Sequence, residues 1–348
     1  MKIGILTGGG DCPGLNAVIR AAVRKALKEK FDVYGFKYGW RGVMQNDKIH
    51  LGRNEVSGIL HRGGTILGTS RTNPYKSNNG EEQILETLKK ENIEALVPIG
   101  GEDTLGVATK LSKAGINIVG VPKTIDNDLS GTDYTFGFDT AVNVAMEAID
   151  RIHTTAESHN RVMVVEVMGR HTGWIALYAG LAGGGDIILI PEHPCNIDEV
   201  CEMIKTRHNS GKNFSIVVVA EGTKISTDEA HDADGSYVLS SMTTDAFGHV
   251  RLGGIGAVLA EEIEKRLGFE SRSTVLGHIQ RGGRPTAFDR MLGTRFGVHA
   301  IELVREGKFG RMVALDGNEI IDIPIADGTG SLKVVPDDMY RLANVFLE

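Results

Sequence analysis

The chain has 348 residues, room for one large domain or two of ordinary size, and its 41% apolar and 24% charged content is that of an ordinary globular protein. Its net charge of −7 argues against general binding to nucleic acid or anionic membranes, and no apolar run approaches the ~20 residues of a membrane span. Cys12, Cys195 and Cys201 form neither a CxxC pair nor a metal-ligand spacing, and the N-terminus lacks a signal-peptide pattern. A reducing cytoplasm, with no disulfide framework and no zinc site, is therefore expected.

Residues 2–6, KIGIL, read as a buried strand that runs into the turn TGGGDCPG (7–14). A helix follows, because Leu15, Val18, Ile19, Ala22, Val23, Ala26 and Leu27 recur at helical spacing while Arg20, Arg24 and Lys28 share another face. Further helices are expected at 81–91, 104–114, 138–158, 172–182, 197–209, 255–267 and 286–306. Between them lie short β-branched apolar runs at 95–99, 116–121, 162–167, 187–190, 215–220 and 274–277. Runs apolar on both faces belong to parallel strands covered by helices, so the fold class is α/β. The polar stretch 223–254 contains Asp-Gly and has no clean period, which predicts an insertion or a long, mobile connection.

In open α/β sheets ligands gather at the carboxyl ends of the strands, where helix N-termini also point. Loops 7–14, 99–104, 122–128, 168–173, 221–222 and 278–284 are thus the candidate walls of one or two sites. TGGGDCPG is a backbone anion cradle, although a tight strand-to-helix turn explains that stretch alone equally well; it is neither a Walker A loop nor GxGxxG. GGEDT (100–104) again leaves a strand on two glycines, then adds Glu102 and Asp103. Carboxylates repel phosphate, so the ligand that suits this loop is a magnesium–phosphate complex, whose cation inverts the local charge logic.

PKTIDND (122–128) is sharper still. Pro122 should end a buried strand, and the loop then offers Lys123, Thr124, Asp126 and Asp128. Asp126 and Asp128, two apart in an extended segment, would point the same way. One could take a proton from an attacking hydroxyl while the other holds magnesium, the division of labour that phosphoryl transfer needs. Asp-Asn-Asp is also ordinary turn chemistry. The second acidic glycine loop favours the functional reading. Arg71, Arg161, Arg170, Arg272, His278 and Arg281 stand near loops or strand ends, and planar guanidinium groups suit phosphate. Cys12 beside the glycine loop reads as a small buried filler rather than a reactive thiol.

The ordered series GGGDCPGLN, RGGTILGTSR, GGEDT, PKTIDND, SHNR, MGRHTGWIA, AEGT and LGHIQRGG resembles the 6-phosphofructokinase family along nearly the whole chain. The resemblance implies two Rossmann-like domains with mainly parallel sheets and the active site between them. It divides the chain into 1–137 plus 280–330, the larger phosphate-donor domain, and 138–279 plus 331–348, the smaller fructose 6-phosphate domain. It also implies glycolytic phosphoryl transfer to the 1-hydroxyl of fructose 6-phosphate, with Mg2+ as cofactor, in the cytoplasm, by a homodimer or homotetramer.

By the same resemblance, Asp126 matches the general base, and Asp128 and Glu102 match the magnesium-handling acids. Thr124, Arg170 and Lys123 match groups around the transferred phosphoryl. Gly10, Gly101 and Arg71 line the donor path. Met168, Gly169, Glu221, Arg272, His278 and Arg281 match the sugar-phosphate pocket, which Arg161 and Arg272 reach from an adjacent subunit. Members that use ATP resemble GGDGS at 100–104, with glycine in place of Asp103. A carboxylate there blocks the α-phosphate and ribose, so Asp103 resembles the pyrophosphate-dependent class, and Lys123 agrees. Of a regulatory set between subunits, Arg20, Arg24 and Arg53 match, but His153, Ser210 and Asp186 depart from it. The alternatives weighed are an ATP-dependent enzyme of the same family and a non-catalytic sugar-phosphate sensor.

Overall fold

The computed structural model describes residues 1–226, 236–237, 239–244 and 250–345, and contacts divide it into two units. Unit 1 begins at Met1 and runs to Thr140, then resumes from Arg281 to Leu332; unit 2 takes most of the rest, from Ala141 to Gln280 and from Lys333 onward.

The first part of unit 1 contains β1 (Lys2–Thr7), α1 (Leu15–Lys28), β2 (Asp32–Phe36), α2 (Trp40–Gln45), β3 (Lys48–His50), α3 (Gly80–Glu91), β4 (Ala95–Gly100), α4 (Glu102–Lys113), β5 (Val119–Thr124) and β6 (Phe136–Gly137). Helix α5 (Phe138–His159) starts in unit 1 and continues into unit 2. Unit 2 continues with β7 (Val162–Val167), α6 (Trp174–Ala182), β8 (Ile187–Leu189), β9 (Cys195–Asn196), α7 (Ile197–Asn209) and β10 (Ser215–Ala220). The strands β11 (Lys224–Ser226), β12 (Ser236–Tyr237), β13 (Leu239–Thr244) and β14 (Val250–Leu252) follow, then α8 (Ile255–Leu267) and β15 (Ser271–Val275). Unit 1 is completed by α9 (Ala287–Glu306), β16 (Arg311–Asp316), β17 (Glu319–Pro324) and α10 (Ile325–Thr329); α11 (Asp337–Asn344) returns to unit 2.

The unit 1 sheet has the order β17-β16-β5-β4-β1-β2-β3, with β6 beside β5. Its centre is parallel and only β3 and β17 join antiparallel. Central strands are therefore apolar on both faces, and Leu6, Phe36, Leu96, Leu105, Leu111 and Met312 form a core under α4. On the other face α1 and α9 pack backbone to backbone. A side chain begun at Gly297 would stand 2.5 Å from the Val18 carbonyl oxygen, so only glycine allows that approach. The unit 2 sheet is parallel throughout, in the order β15-β7-β10-β8, with Val164, Val217, Val219, Ile204, Leu259 and Ile263 in its core.

Several expected boundaries move. The strand expected at 116–121 runs Val119–Thr124, so Lys123 and Thr124 belong to β5 and not to a loop. Pro122 is the last residue paired to β4 and Lys123 the first paired to β6; a proline is tolerated where a strand changes neighbour. The strand expected at 274–277 is Ser271–Val275, because Gly277, at φ +46°, opens a 3-10 turn over Gly277–Arg281. Helix α4 starts at Glu102 rather than 104, which puts Glu102 and Asp103 in its first turn, where carboxylates face unpaired backbone N–H groups. Of the connection expected at 223–254, residues 227–235, 238 and 245–249 lie outside the described ones.

Candidate active site

In unit 1 the glycine loop after β1 is folded against cations. Gly9, at φ +76°, and Gly14, at φ +106°, give it a course that other residues resist. Gly8 N–H donates to Ile99 O at 3.0 Å and Gly9 N–H to Ser70 O at 3.2 Å, while the Thr69 hydroxyl donates to Gly9 O at 2.5 Å. The segment carrying RGGTILGTSR therefore lies along the loop, held also by Asn16, whose amide donates to Arg62 O at 3.1 Å and Gly63 O at 3.2 Å. The Lys123 ammonium donates to Gly10 O at 2.5 Å and the Arg281 guanidinium to Asp11 O at 3.3 Å. A side chain on Gly10 would run into that guanidinium. Burial pulls the pKa of Lys123, only 3% exposed, below its ordinary value, with Asp126 and Asp11 acting the other way. An ammonium so placed gains most from an anion arriving beside it.

Thr124, at the end of β5, organises the acids. Its hydroxyl accepts from Asp126 N–H at 3.0 Å and donates to the Asp128 carboxylate. The expectation of an extended Asp126–Asp128 segment is not met. Asn127 between them is left-handed at φ +53°, and its buried side chain accepts from Thr135 N–H at 3.1 Å and donates to Asp133 O at 3.4 Å. The acids nevertheless converge, through this locked turn. Asp128 is pushed up to about 7 by burial, then by Asp126 and, less, by Glu102. The Asp-Asn-Asp turn weighed as the alternative is what forms, since asparagine tolerates left-handed backbone.

These carboxylates fit a hard divalent cation. Among the described residues no group of three or more His, Cys, Asp or Glu could hold a metal alone. Gly101 precedes α4, and a side chain there would stand 3.3 Å from Lys123 O, which keeps the start of α4 beside β5. Arg71 is exposed, next to Ser70 of the loop contact. Cys12 is fully buried, and burial pushes its thiol pKa well up, the opposite of an activated nucleophile.

In unit 2 the expected residues form two groups. Met168–Arg170 after β7 interlace with Glu221–Gly222 after β10: Glu221 N–H donates to Val167 O at 2.8 Å and Gly222 N–H to Gly169 O at 3.0 Å. Gly169, at φ +142°, and Gly222, whose missing side chain leaves room for Arg170 O, make this possible. Met168 N–H meets Gln280 Oε1 at 3.4 Å, on the same 3-10 turn that exposes His278. Arg161 and Arg272 share Glu270, at 2.7 Å and 2.6 Å, and Arg272 also meets Glu264 at 3.2 Å. Arg281, expected with the sugar-phosphate residues, belongs to unit 1 and lies against Gly10 and Asp11.

Among the described residues no helix is long and apolar enough to cross a membrane. The phosphofructokinase family model matches residues 2–304. The chain is 58% identical to the pyrophosphate–fructose 6-phosphate 1-phosphotransferase of Streptomyces coelicolor, over 99% of each chain. It is 52% identical to the ATP-dependent 6-phosphofructokinase of Mycobacterium bovis, again over 99% of each. Among solved structures, phosphofructokinase from Saccharomyces cerevisiae superposes with a TM-score of 0.80 at 31% identity; it covers 99% of this chain, which spans 46% of that longer one. With ordered glycine and acidic loops on two α/β units and matches of this extent, the chain belongs to the phosphofructokinase family.

Proposed function

We propose that the protein transfers a phosphoryl group from pyrophosphate to the 1-hydroxyl of fructose 6-phosphate, giving fructose 1,6-bisphosphate and orthophosphate. The observation that carries the choice of donor is Asp103 in the first turn of α4, two residues after Gly101. A carboxylate there opposes the α-phosphate and ribose of a nucleotide, whereas pyrophosphate ends short of it. Lys123, a buried ammonium on the glycine loop, supports the same donor by gripping its outer phosphate.

Asp126 takes the proton of the 1-hydroxyl as that oxygen attacks the near phosphorus, and orthophosphate leaves. Lys123, Thr124 and Arg170 compensate charge on the transferring group, while Gly10, Gly101 and Arg71 line the donor and Arg281 steadies its loop. Asp128 and Glu102 would hold Mg2+, which when bound neutralises phosphate charge. Met168, Gly169, Glu221, Arg272 and His278 in unit 2 are assigned to the sugar phosphate. With pyrophosphate in place of a nucleotide, the family resemblance implies a reversible reaction. A homodimer or homotetramer is supported by β15, an edge strand that leaves Arg272 and Val275 exposed. The buried thiols of Cys12 and Cys201 suit a reducing cytoplasm.

The relative that uses ATP at 52% identity keeps an ATP-dependent reaction as the second reading. Asp103→Gly separates the two. Under the proposal this variant gains turnover with ATP and loses it with pyrophosphate. An unchanged donor preference would remove Asp103 from the account.

A further inference from the structure

Unit 1 buries a carboxylate that the reaction above does not use. Asp289 lies in the first turn of α9 and is 0% exposed. The stretch Thr286-Ala-Phe-Asp289 has the spacing of a capping box, in which the acidic side chain returns to the first amide of its own helix. Only half of that box forms. Thr286 Oγ1 accepts from Asp289 N–H at 3.3 Å, but the Asp289 carboxylate turns to α5. Its Oδ2 accepts from Thr140 N–H at 2.8 Å and from the Thr140 hydroxyl at 2.5 Å, while its Oδ1 is buried without a hydrogen-bond partner. Helix α5 reciprocates: Thr140 Oγ1 accepts from Thr286 N–H at 3.0 Å, and Asp139 Oδ2 accepts from the Thr286 hydroxyl at 2.5 Å. Each helix thus caps the other.

The start of α5 that Asp289 holds follows directly on Phe136–Gly137, which meet the glycine loop. Gly137 has φ +99°, and a side chain there would stand 2.7 Å from Cys12 Sγ. The Cys12 thiol donates to Phe136 O at 3.6 Å, and a side chain on Gly14 would meet the Phe136 ring at 2.7 Å. One turn further along α9, Gly293 comes against Gly14 O, at 3.2 Å from where its side chain would begin. Burial pushes the Asp289 carboxyl up to about 6, and Asp139 adds to this, while the Thr140 donors oppose it. Burying a carboxylate here is unfavourable in itself, which argues for a role in holding geometry.

We propose that Asp289 is a positioning residue for the glycine loop that receives the phosphate donor: it anchors the start of α5 next to Phe136–Gly137, and these fix Cys12–Gly14. The inference rests on the donor role assigned above to that loop. Its test uses Asp289→Asn and Thr140→Val in the full chain, the second keeping the carboxylate but losing one donor. Hydrogen exchange of the segment 8–16 is compared with that of 162–167 in unit 2, together with the Michaelis constants for donor and fructose 6-phosphate. Exchange of 8–16 is expected to accelerate about tenfold with 162–167 unchanged, and KM for pyrophosphate to rise about tenfold with that for the sugar phosphate within about twofold.

Unchanged exchange at 8–16, or acceleration in both segments with both constants rising together, overturns the proposal, since the latter is the mark of a general loss of stability. If Asp289→Asn does not fold, Thr140→Val decides by the same readings. If the wild type turns over ATP but not pyrophosphate, the donor assignment fails, and exchange with KM for ATP still decides the role of Asp289. If it turns over neither, exchange at 8–16 decides.

Discussion

Asp126 and Asp128 come together by a route other than the one the sequence suggested. Alternation along an extended segment would align them, yet a left-handed Asn127 bends the chain and Thr124 bridges the pair instead. The residue types were legible because acids crowded after an apolar strand demand either solvent or a cation. The turn was legible only as an alternative, and its anchoring was not, because Asn127 is held by Thr135 and Asp133, which no local pattern announces. The same holds for Asp289: Thr-x-x-Asp marks a helix start, but its use of the carboxylate on another helix depends on tertiary packing. At this scale the central expectation concerns the base. Asp126→Ser should fold, by circular dichroism, and lose turnover by ~10²–10⁴-fold. Near-normal turnover would take the proton transfer away from Asp126.

Among the elements, periodicity located the helices well, since amphipathic stripes of α1, α5, α7 and α8 are long enough to repeat. Strands were harder. Asp32–Phe36 and the hairpin Arg311–Asp316 with Glu319–Pro324 are short and mix polar with apolar residues, as sheet edges do. Pro122 misled because a proline usually ends a strand, whereas here the strand changes neighbour at that point. The glycines of α9 carry information that helical periodicity ignores: Gly293 and Gly297 are where its backbone meets α1. Gly297→Ala must push the helices apart or distort them, and should destabilise the protein by about 1–3 kcal/mol in urea unfolding. An unaltered midpoint would show that the α1–α9 contact yields without cost.

For the molecule as a whole, the glycine clusters carried most of the functional reading. Gly8–Gly10 and Gly100–Gly101 stand at the carboxyl ends of β1 and β4, whereas Gly183–Gly185 follows helix α6, and the family match over 2–304 agrees with the activity class the first two suggested. A basic residue near a strand end does not reveal which neighbouring loop it touches, and Arg281 lies against Gly10 and Asp11. The proposed donor choice turns on a single carboxylate, Asp103, in a family whose members are named for either pyrophosphate or ATP. The decisive measurement is fructose 1,6-bisphosphate formation by the wild-type protein from fructose 6-phosphate and magnesium, with pyrophosphate or ATP as sole donor in parallel. Turnover with pyrophosphate and none with ATP is the predicted result; turnover with ATP alone would contradict the assignment of Asp103 as the residue that closes the nucleotide path.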